Sequence, residues 1–243
     1  MSLLFIAPIG KAEELMVAVA SNFSLPMRQI AEVFAQTHPH TVQLSFGSSG
    51  KFFAQIVNGA PYDLFFSADQ SKPQALIDKE LAITNSRFTY ALGALALWSA
   101  DPHKITTSNN ILLTDNFNKL ALANPKLAPY GLAAMDVLSN MQLLETTRER
   151  WVQGENIAQT YQFIASHNAD IGFVAVSQIM QKGKLTSGSA WFISATLYRP
   201  IKQDTVILKR VKNIGAANEF MSFMQGPEAS NIIQSFGYTL EQN

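Results

Sequence analysis

The chain has 243 residues, of which 47% are hydrophobic and 15% charged, so it can bury the core of one large domain or two small ones. Its formal net charge is zero and no basic run stands out, which argues against nucleic acid or an anionic membrane surface as the main partner. The absence of cysteine excludes disulfides, thiolate metal sites and cysteine nucleophiles.

The N-terminal residues have the pattern of a shortened export signal. An apolar run over 3–9 is too short to span a membrane, and small residues follow at Gly10 and Ala12, which fit positions −3 and −1 of a signal-peptidase site. We predict that residues 1–12 are a truncated signal peptide or tag remnant and that the mature protein begins near Glu13. The alternative is that this run forms an ordinary first strand.

Apolar, strand-like runs alternate along the chain with segments of helical periodicity. In 24–37, for example, Met27, Ile30 and Phe34 share one face of a helix. The predicted strands are Leu15–Ala20, Val42–Phe46, Leu64–Ser67, Ala91–Trp98, Leu120–Ala123, Ile171–Ala175, Trp191–Ala195 and Thr205–Val211. The predicted helices are 24–37, 50–57, 71–79, 130–142, 155–166, 215–225 and 227–236. This alternation indicates an α/β protein built on parallel sheet with both faces covered.

Two long strand-like runs, Tyr90–Trp98 and Tyr198–Val211, are candidates for segments that cross between two lobes. If both cross, residues 13–90 and 200–243 form one discontinuous lobe and residues 91–199 form the other. The lobes would then enclose a cleft between them.

Small polar residues stand where several predicted strands give way to helices. Ser21 and Asn22 follow the first strand, Ser49 follows the second, and Tyr130 and Ile157 open later helices. A helix start presents unpaired backbone N–H groups and a partial positive charge, and serine and asparagine add further donors. Converging starts of this kind would form a seat for a small anion without lysine or arginine.

Other chemistries fit these residues less well. Gly47-Ser48-Ser49-Gly50-Lys51 lacks the spacing of a phosphate-binding loop, and a serine nucleophile at Ser48 or Ser49 has no recognisable base. The acids Asp63 and Asp69 could form a catalytic pair, although Asp69 is more simply a helix cap. His38-Pro39-His40 is more typical of a surface turn than of a metal site.

Several stretches, in this order along the chain, resemble the periplasmic molybdate-binding proteins, the substrate-capturing components of molybdate ABC importers. The most specific of them is Gly59-Ala60-Pro61-Tyr62-Asp63-Leu64-Phe65-Phe66-Ser67-Ala68-Asp69. The others are Ala18–Phe23, Phe46–Gly50, Ala123–Gly131, Gly154–Ile157 and Ala169–Val174. The resemblance implies a type II periplasmic binding protein fold, with two lobes, two crossover strands as a hinge and a ligand cleft between the lobes.

The resemblance also implies which residues bind the oxyanion. Ser21 would donate its hydroxyl and backbone N–H, Ser49 would act at the second helix start, and Tyr130 and Ile157 would donate backbone N–H groups. Some family members have a tyrosine hydroxyl donor where this chain has Ala175. Asn22 resembles a subgroup in which an asparagine side chain supplies the missing bond.

The expected ligand is therefore molybdate or tungstate, with no cofactor and with metal bound only as the oxyanion. The expected partner is the membrane permease of a molybdate ABC transporter, and the expected state is an exported, periplasmic monomer that binds no nucleic acid and is not an enzyme. Two alternatives remain open, namely a receptor for another oxyanion or small anion on the same scaffold and, less favoured, a serine-dependent hydrolase.

Overall fold

The computed structural model describes residues 13–106, 110–114 and 116–241, in which strands and helices alternate as predicted. The predicted signal segment, 1–12, lies outside the described residues. The strands are β1 (Glu14–Ala20), β2 (Thr41–Gly47), β3 (Leu64–Phe66), β4 (Phe88–Gly93), β5 (Leu95–Ser99), β6 (Leu120–Ala123), β7 (Trp151–Gly154), β8 (Ile171–Ala175), β9 (Met180–Gln181), β10 (Lys184–Leu185), β11 (Ser189–Phe192) and β12 (Ile201–Ile207). The helices are α1 (Ser24–Thr37), α2 (Ser49–Val57), α3 (Ser71–Asp78), α4 (Asn110–Thr114), α5 (Pro129–Asn140), α6 (Leu144–Thr147), α7 (Ile157–Ala165), α8 (Val176–Ile179), α9 (Ile214–Met224) and α10 (Pro227–Ser235). In these ranges no helix combines the length and hydrophobicity needed to cross a bilayer.

The first sheet has the strand order β2-β1-β3-β12-β4. Strand β1, the second in this order, pairs in parallel with β2 and β3 and places Val19 opposite both Phe46 and Phe66. Helices α1, α9 and α10 pack on one face, and α2 and α3 pack on the other, which explains why β1 and β3 are almost entirely apolar. We call this sheet with its helices lobe 1.

The second sheet has the order β11-β5-β8-β6-β7, with β6 parallel to β7 and β8. Alternate residues of its strands face opposite sides: Leu97 and Phe173 pack with α5, whereas Trp98 and Val174 pack with α7. We call this sheet with its helices lobe 2. The two-sheet α/β architecture agrees with the predicted two-lobed fold.

The segments that connect the lobes differ from the predicted strands. The predicted strand Ala91–Trp98 is two strands, β4 and β5, which belong to different sheets and meet at Ala94. The predicted strand Thr205–Val211 starts and ends earlier, as β12, and carries a register shift between Gln203 and Asp204. The lobe boundaries 13–90 with 200–243 and 91–199 stay a prediction.

Candidate functional site

The predicted donor residues lie at the carboxyl ends of parallel strands, where each chain segment turns into a helix. Ser21 opens a 3-10 turn after β1, and Ser49 is the first residue of α2 after β2. In lobe 2, Tyr130 is in the first turn of α5, which follows β6, and Ile157 is the first residue of α7, which follows β7. All of these residues are buried, and ligand sites in α/β folds are found at this edge of the sheet.

Contacts between the lobes bring these helix starts together. The Gly50 N–H donates to the carbonyl of Leu127 at 2.9 Å, which joins the start of α2 to the loop before α5. A Cβ at Gly50 would lie 2.9 Å from that carbonyl oxygen, so the close approach depends on glycine. Lys51 pairs with Glu155 at 2.8 Å, which joins the start of α2 to the start of α7. The structure therefore has its cleft closed around the predicted donors.

The first turn of α7 leaves a single backbone donor without a partner among the described residues. The Asn156 side chain accepts from the N–H groups of Ala158 and Gln159, both at 3.0 Å. The Thr160 N–H donates to the Asn156 carbonyl at 3.1 Å. In the described part of the chain, the Ile157 N–H has no acceptor, although it belongs to a residue that is only 2% exposed.

The starts of α5 and α2 repeat this arrangement. The N–H groups of Gly131 and Leu132 donate to the Ala128 carbonyl, and the Tyr130 N–H is left without an acceptor in the described ranges. Since buried N–H groups are rarely left unpaired, such positions indicate a missing acceptor.

In α2 the side chain and carbonyl of Ser48 accept from Lys51 and Phe52, at 3.3 and 3.1 Å. The Gly50 N–H is used between the lobes, so the Ser49 N–H remains, again without an acceptor among the described residues.

Two hydroxyl groups complete the set of donors. The Ser21 hydroxyl has no hydrogen bond to any described residue. The Ser49 hydroxyl accepts from the Ala68 N–H at 2.9 Å and still has its own proton to donate. We call the Ser21 and Ser49 hydroxyls with the Ser49, Tyr130 and Ile157 N–H groups the donor site. Every group in it donates, and none carries a formal charge.

Asn22 is placed beside this site, but its side chain is used elsewhere. Its amide nitrogen donates to Gln203 Oε1 at 2.8 Å and to the Tyr238 hydroxyl at 2.9 Å, which occupies both hydrogens. The predicted side-chain bond to an anion is therefore not available in this conformation, and the backbone N–H is the donor that Asn22 could offer. Ala175 ends β8 and is buried, so no side-chain donor stands at that position.

A buried polar cluster that the sequence analysis did not predict lies next to the donor site. It consists of Gln203, Tyr90, Tyr130 and Tyr238. Burial raises the pKa of Tyr130 well above its usual value, with Tyr238 and Tyr90 adding to the effect. Burial likewise raises the pKa of Tyr90. It raises the pKa of Tyr238 to about 12, against the lowering effect of the hydrogen bonds with Ser177 and Asn22. These phenols are therefore uncharged at physiological pH.

The remaining polar candidates have structural partners. Asp63 is buried and accepts from the N–H groups of Met16 at 2.8 Å and Lys212 at 3.0 Å. Asp69 accepts from the Lys72 N–H at 3.0 Å and pairs with the Lys72 ammonium, as expected for a residue that caps α3. Within the described ranges no three metal-binding side chains cluster.

A cavity of about 460 Å³ also lies between the lobes. It is lined by residues 68–72, by Pro125, Ala128, Pro129 and Leu132, and by residues 199–202. We call it the side cavity. It contains Arg199 next to the loop that leads into α5, but the guanidinium donates to both carboxylate oxygens of Asp136, at 2.7 and 2.8 Å. Partial burial raises the pKa of Asp136, but these bonds outweigh that effect and lower it overall.

The profile of the bacterial extracellular solute-binding protein family matches residues 15–239. The molybdate-binding protein ModA of Azotobacter vinelandii is 44% identical over 236 residues, 97% of this chain and 94% of that protein. ModA of Rhodobacter capsulatus is 43% identical over 230 residues, 95% of this chain and 90% of that protein. The solved structure of the Azotobacter vinelandii periplasmic molybdate-binding protein superimposes with a TM-score of 0.89, covering 94% of this chain and all of that one.

The chain belongs to the bacterial extracellular solute-binding proteins, in the same family as the molybdate-binding proteins ModA. These relatives are binding proteins, which confirms the predicted family resemblance and the prediction that the chain is not an enzyme. Among the described residues, the hydroxyls of Ser48 and Ser49 form hydrogen bonds with the N–H groups of Lys51 and Ala68, and with no histidine or carboxylate.

Proposed function

We propose that this protein captures molybdate, and also tungstate, outside the cytoplasm and delivers it to the membrane permease of an ABC importer. The observation that carries the proposal is the donor site. At each of three helix starts, one N–H at a predicted ligand residue has no acceptor in the described structure, while the two N–H groups that follow it are bonded. The relatives named as molybdate-binding proteins support the choice of ligand.

The donor site suits a tetrahedral dianion because such an ion has only acceptor oxygens. Each hydrogen bond to a charged group contributes about 1.5–3 kcal/mol net, so the five groups of the donor site can offset the cost of removing the ion from water. The partial positive charge at the starts of α2, α5 and α7 adds to this without any cationic side chain.

The same chemistry disfavours hydrogen phosphate, which keeps a proton near neutral pH and needs an acceptor. Glu155 is the acidic side chain that could provide one, but it pairs with Lys51 at 2.8 Å. The Ser21 and Ser49 hydroxyl oxygens could accept the O–H of a protonated oxyanion only in place of the bonds that these hydroxyls would donate to it. A protonated oxyanion would therefore make fewer bonds in the site than a dianion without a proton, at a cost of about 1–3 kcal/mol.

Donors from both lobes imply that binding and closure are coupled. Ser21 and Ser49 belong to lobe 1, whereas Tyr130 and Ile157 belong to lobe 2. An anion can form hydrogen bonds with all of them only when the lobes are closed. Closure would occur by a hinge motion at the segments that cross between the lobes, near Ala94 and 193–200. The closed shape would be the state recognised by the permease.

A thermal-shift panel with calorimetry tests the proposal. Molybdate and tungstate should raise the unfolding temperature at concentrations well below millimolar, because a ligand at 100 times its dissociation constant stabilises the folded state by about 2.7 kcal/mol. Sulfate, phosphate and small carboxylates serve as comparisons. A shift with sulfate or a carboxylate but none with molybdate or tungstate would favour the alternative receptor on this scaffold and reject the proposal.

The cellular setting is part of the same proposal. A protein that hands its ligand to a membrane permease works on the outer side of the cytoplasmic membrane, so we expect periplasmic export and a monomer in solution. Periplasmic fractionation of the full-length precursor and light scattering of the purified protein check these expectations. Retention in the cytoplasm, or a stable dimer, would contradict them.

A further inference from the structure

The carbonyl oxygen of Asn22 receives two hydroxyl donors beneath the donor site. The Ser177 hydroxyl lies 2.8 Å from it and the Tyr238 hydroxyl lies 2.9 Å from it. The two hydroxyls are themselves 3.0 Å apart. Ser177 comes from α8 in lobe 2, whereas Asn22 follows β1 in lobe 1, so this buried contact joins the lobes.

Gln178, the residue beside Ser177, supports the donor loop of lobe 2, which contains Ile157. The Gln178 amide nitrogen donates to the Ile157 carbonyl at 3.0 Å, and its oxygen accepts from the Ala175 N–H at 2.9 Å. Adjacent residues of one short helix therefore contact two of the predicted ligand loops, one in each lobe. Gln203 adds a weaker link, since it accepts from Asn22 and lies 3.4 Å from the Tyr130 hydroxyl.

We propose that Ser177 and Tyr238 are positioning residues that set the closed arrangement of the donor site through the Asn22 carbonyl, without touching the ligand. The inference rests on the proposed anion-binding function. It adds that part of the ligand affinity comes from a contact between protein groups.

The physical reason is that a bond between lobes exists only in the state that brings them together. If Ser177 separates from Asn22 on opening, both groups form hydrogen bonds with water instead. The bond then stabilises the closed state relative to the open state, and it does not stabilise either lobe on its own. If the contact stays intact during opening, it contributes to the fold alone. The two cases predict different effects on affinity, so they can be separated.

The chain offers a closely matched pair of serines for this test. Ser177 and Ser99 are both buried, and each donates to a backbone carbonyl, at 2.8 and 2.7 Å. Ser99 also accepts from the Asp101 N–H, and Ser177 lies 3.0 Å from the Tyr238 hydroxyl, whose single proton is donated to the Asn22 carbonyl. The Ser99 partner is Asp170, and both belong to lobe 2, so that bond does not depend on closure. Ser99→Ala should therefore lower the unfolding temperature of the ligand-free protein, whereas Ser177→Ala should lower it less, because the bond from Ser177 to Asn22 forms only when the lobes close.

Their effects on ligand binding should differ. We expect Ser177→Ala to weaken molybdate binding about three- to tenfold by calorimetry, with a faster dissociation rate in stopped flow, and Ser99→Ala to leave both within about twofold of the wild type. Tyr238→Phe, which removes the other hydroxyl, should weaken binding in the same direction. Small-angle scattering at a fixed, subsaturating molybdate concentration should show a smaller closed fraction for Ser177→Ala.

The outcomes separate the two proposals. If the wild type does not bind molybdate or tungstate, the proposed function is wrong and the inference falls with it. If the wild type binds and Ser177→Ala, Tyr238→Phe and Ser99→Ala all bind equally well, the proposed function stands and the positioning role is overturned. Equal weakening by Ser99→Ala and Ser177→Ala would also overturn it, since that would indicate a general loss of fold.

Discussion

The donor site and the side cavity both lie between the two lobes, but they differ in how their polar groups are satisfied. In the donor site, the N–H groups of Ser49, Tyr130 and Ile157 have no acceptor among the described residues. In the side cavity, Lys72 is paired with Asp69 and Arg199 with Asp136. In the side cavity, the charges of the cations are therefore compensated by carboxylates of the protein. In the donor site, which has no cation, hydrogen-bond donors remain available for a ligand.

This difference shows that charge and volume are poor guides to the ligand site here. An anion that entered the side cavity would have to compete with carboxylates that already bond to the cations, Asp136 among them. An anion in the donor site competes with nothing but water. The binding free energy of a dianion is most favourable where hydrogen-bond donors are unpaired, rather than where side chains carry a positive charge.

The largest expected effect comes from removing one N–H of the donor site. Ile157→Pro deletes this donor at the first position of α7, where proline is well tolerated, and the preceding residue Asn156 already has the extended backbone that a following proline requires (φ −146°, ψ 174°). Calorimetry should show molybdate affinity reduced about 10- to 100-fold, the equivalent of one hydrogen bond to a charged group.

The control for this variant is Ile157→Val, which keeps the N–H and loses one methylene. Its unfolding free energy should fall by about 0.5–1.5 kcal/mol, while its affinity stays within about twofold of the wild type. If Ile157→Pro folds and binds as tightly as Ile157→Val, the N–H at this position does not contact the anion.

A smaller loss of affinity is expected from removing a hydroxyl. Ser21→Ala should weaken binding about tenfold, because water can replace part of the lost bond, and should change the unfolding free energy by less than about 0.5 kcal/mol, since this hydroxyl has no partner in the described structure. Ser49→Ala should weaken binding similarly but also destabilise the fold by about 1–3 kcal/mol, because it leaves the Ala68 N–H without its acceptor. Calorimetry combined with urea unfolding separates the two effects, and an unchanged affinity for Ser21→Ala would remove that hydroxyl from the site.

The contrast between these serines also shows what the sequence could predict. The sequence predicts that strands give way to helices at Ser21, Ser49, Tyr130 and Ile157, and the structure places these residues at such positions. The prediction was possible because strand ends, caps and apolar periodicity are local patterns. The bond from Ala68 to Ser49 depends on β2 and β3 both pairing with β1, and it could not be predicted from either segment alone.

Contacts between distant segments of the chain could not be predicted from the sequence. The predicted side-chain role of Asn22 did not account for Gln203 and Tyr238, which lie 181 and 216 positions away and occupy its amide. The run Ala91–Trp98 appears as one strand because its hydrophobicity is continuous, and its division at Ala94 follows only from the pairing of β4 with β12 and of β5 with β8. Short β7 was missed because its apolar part is only Trp151 and Val152.

The smallest expected effect comes from the side cavity, where Arg199 lies next to the loop that leads into α5. Arg199→Ala removes the guanidinium beside the loop into α5, yet its charge is already compensated by Asp136, and the side chain is 62% exposed. We expect molybdate affinity to stay within about twofold of the wild type and the unfolding free energy to change by less than about 1 kcal/mol.

Arg148→Ala is the matched control, because Arg148 forms a similar two-bond contact with Glu145, at 3.1 and 2.9 Å, away from the cleft residues. Both variants change the net charge equally, so any general electrostatic effect on anion capture appears in both. Titrations at low and moderate salt should give the same ratio between the molybdate affinities of the two variants. Salt has little effect on this ratio because the charge of each arginine is already compensated by a carboxylate. A tenfold weaker affinity for Arg199→Ala alone would place the anion within reach of the guanidinium, and the distinction between an uncharged donor site and a compensated side cavity would no longer hold.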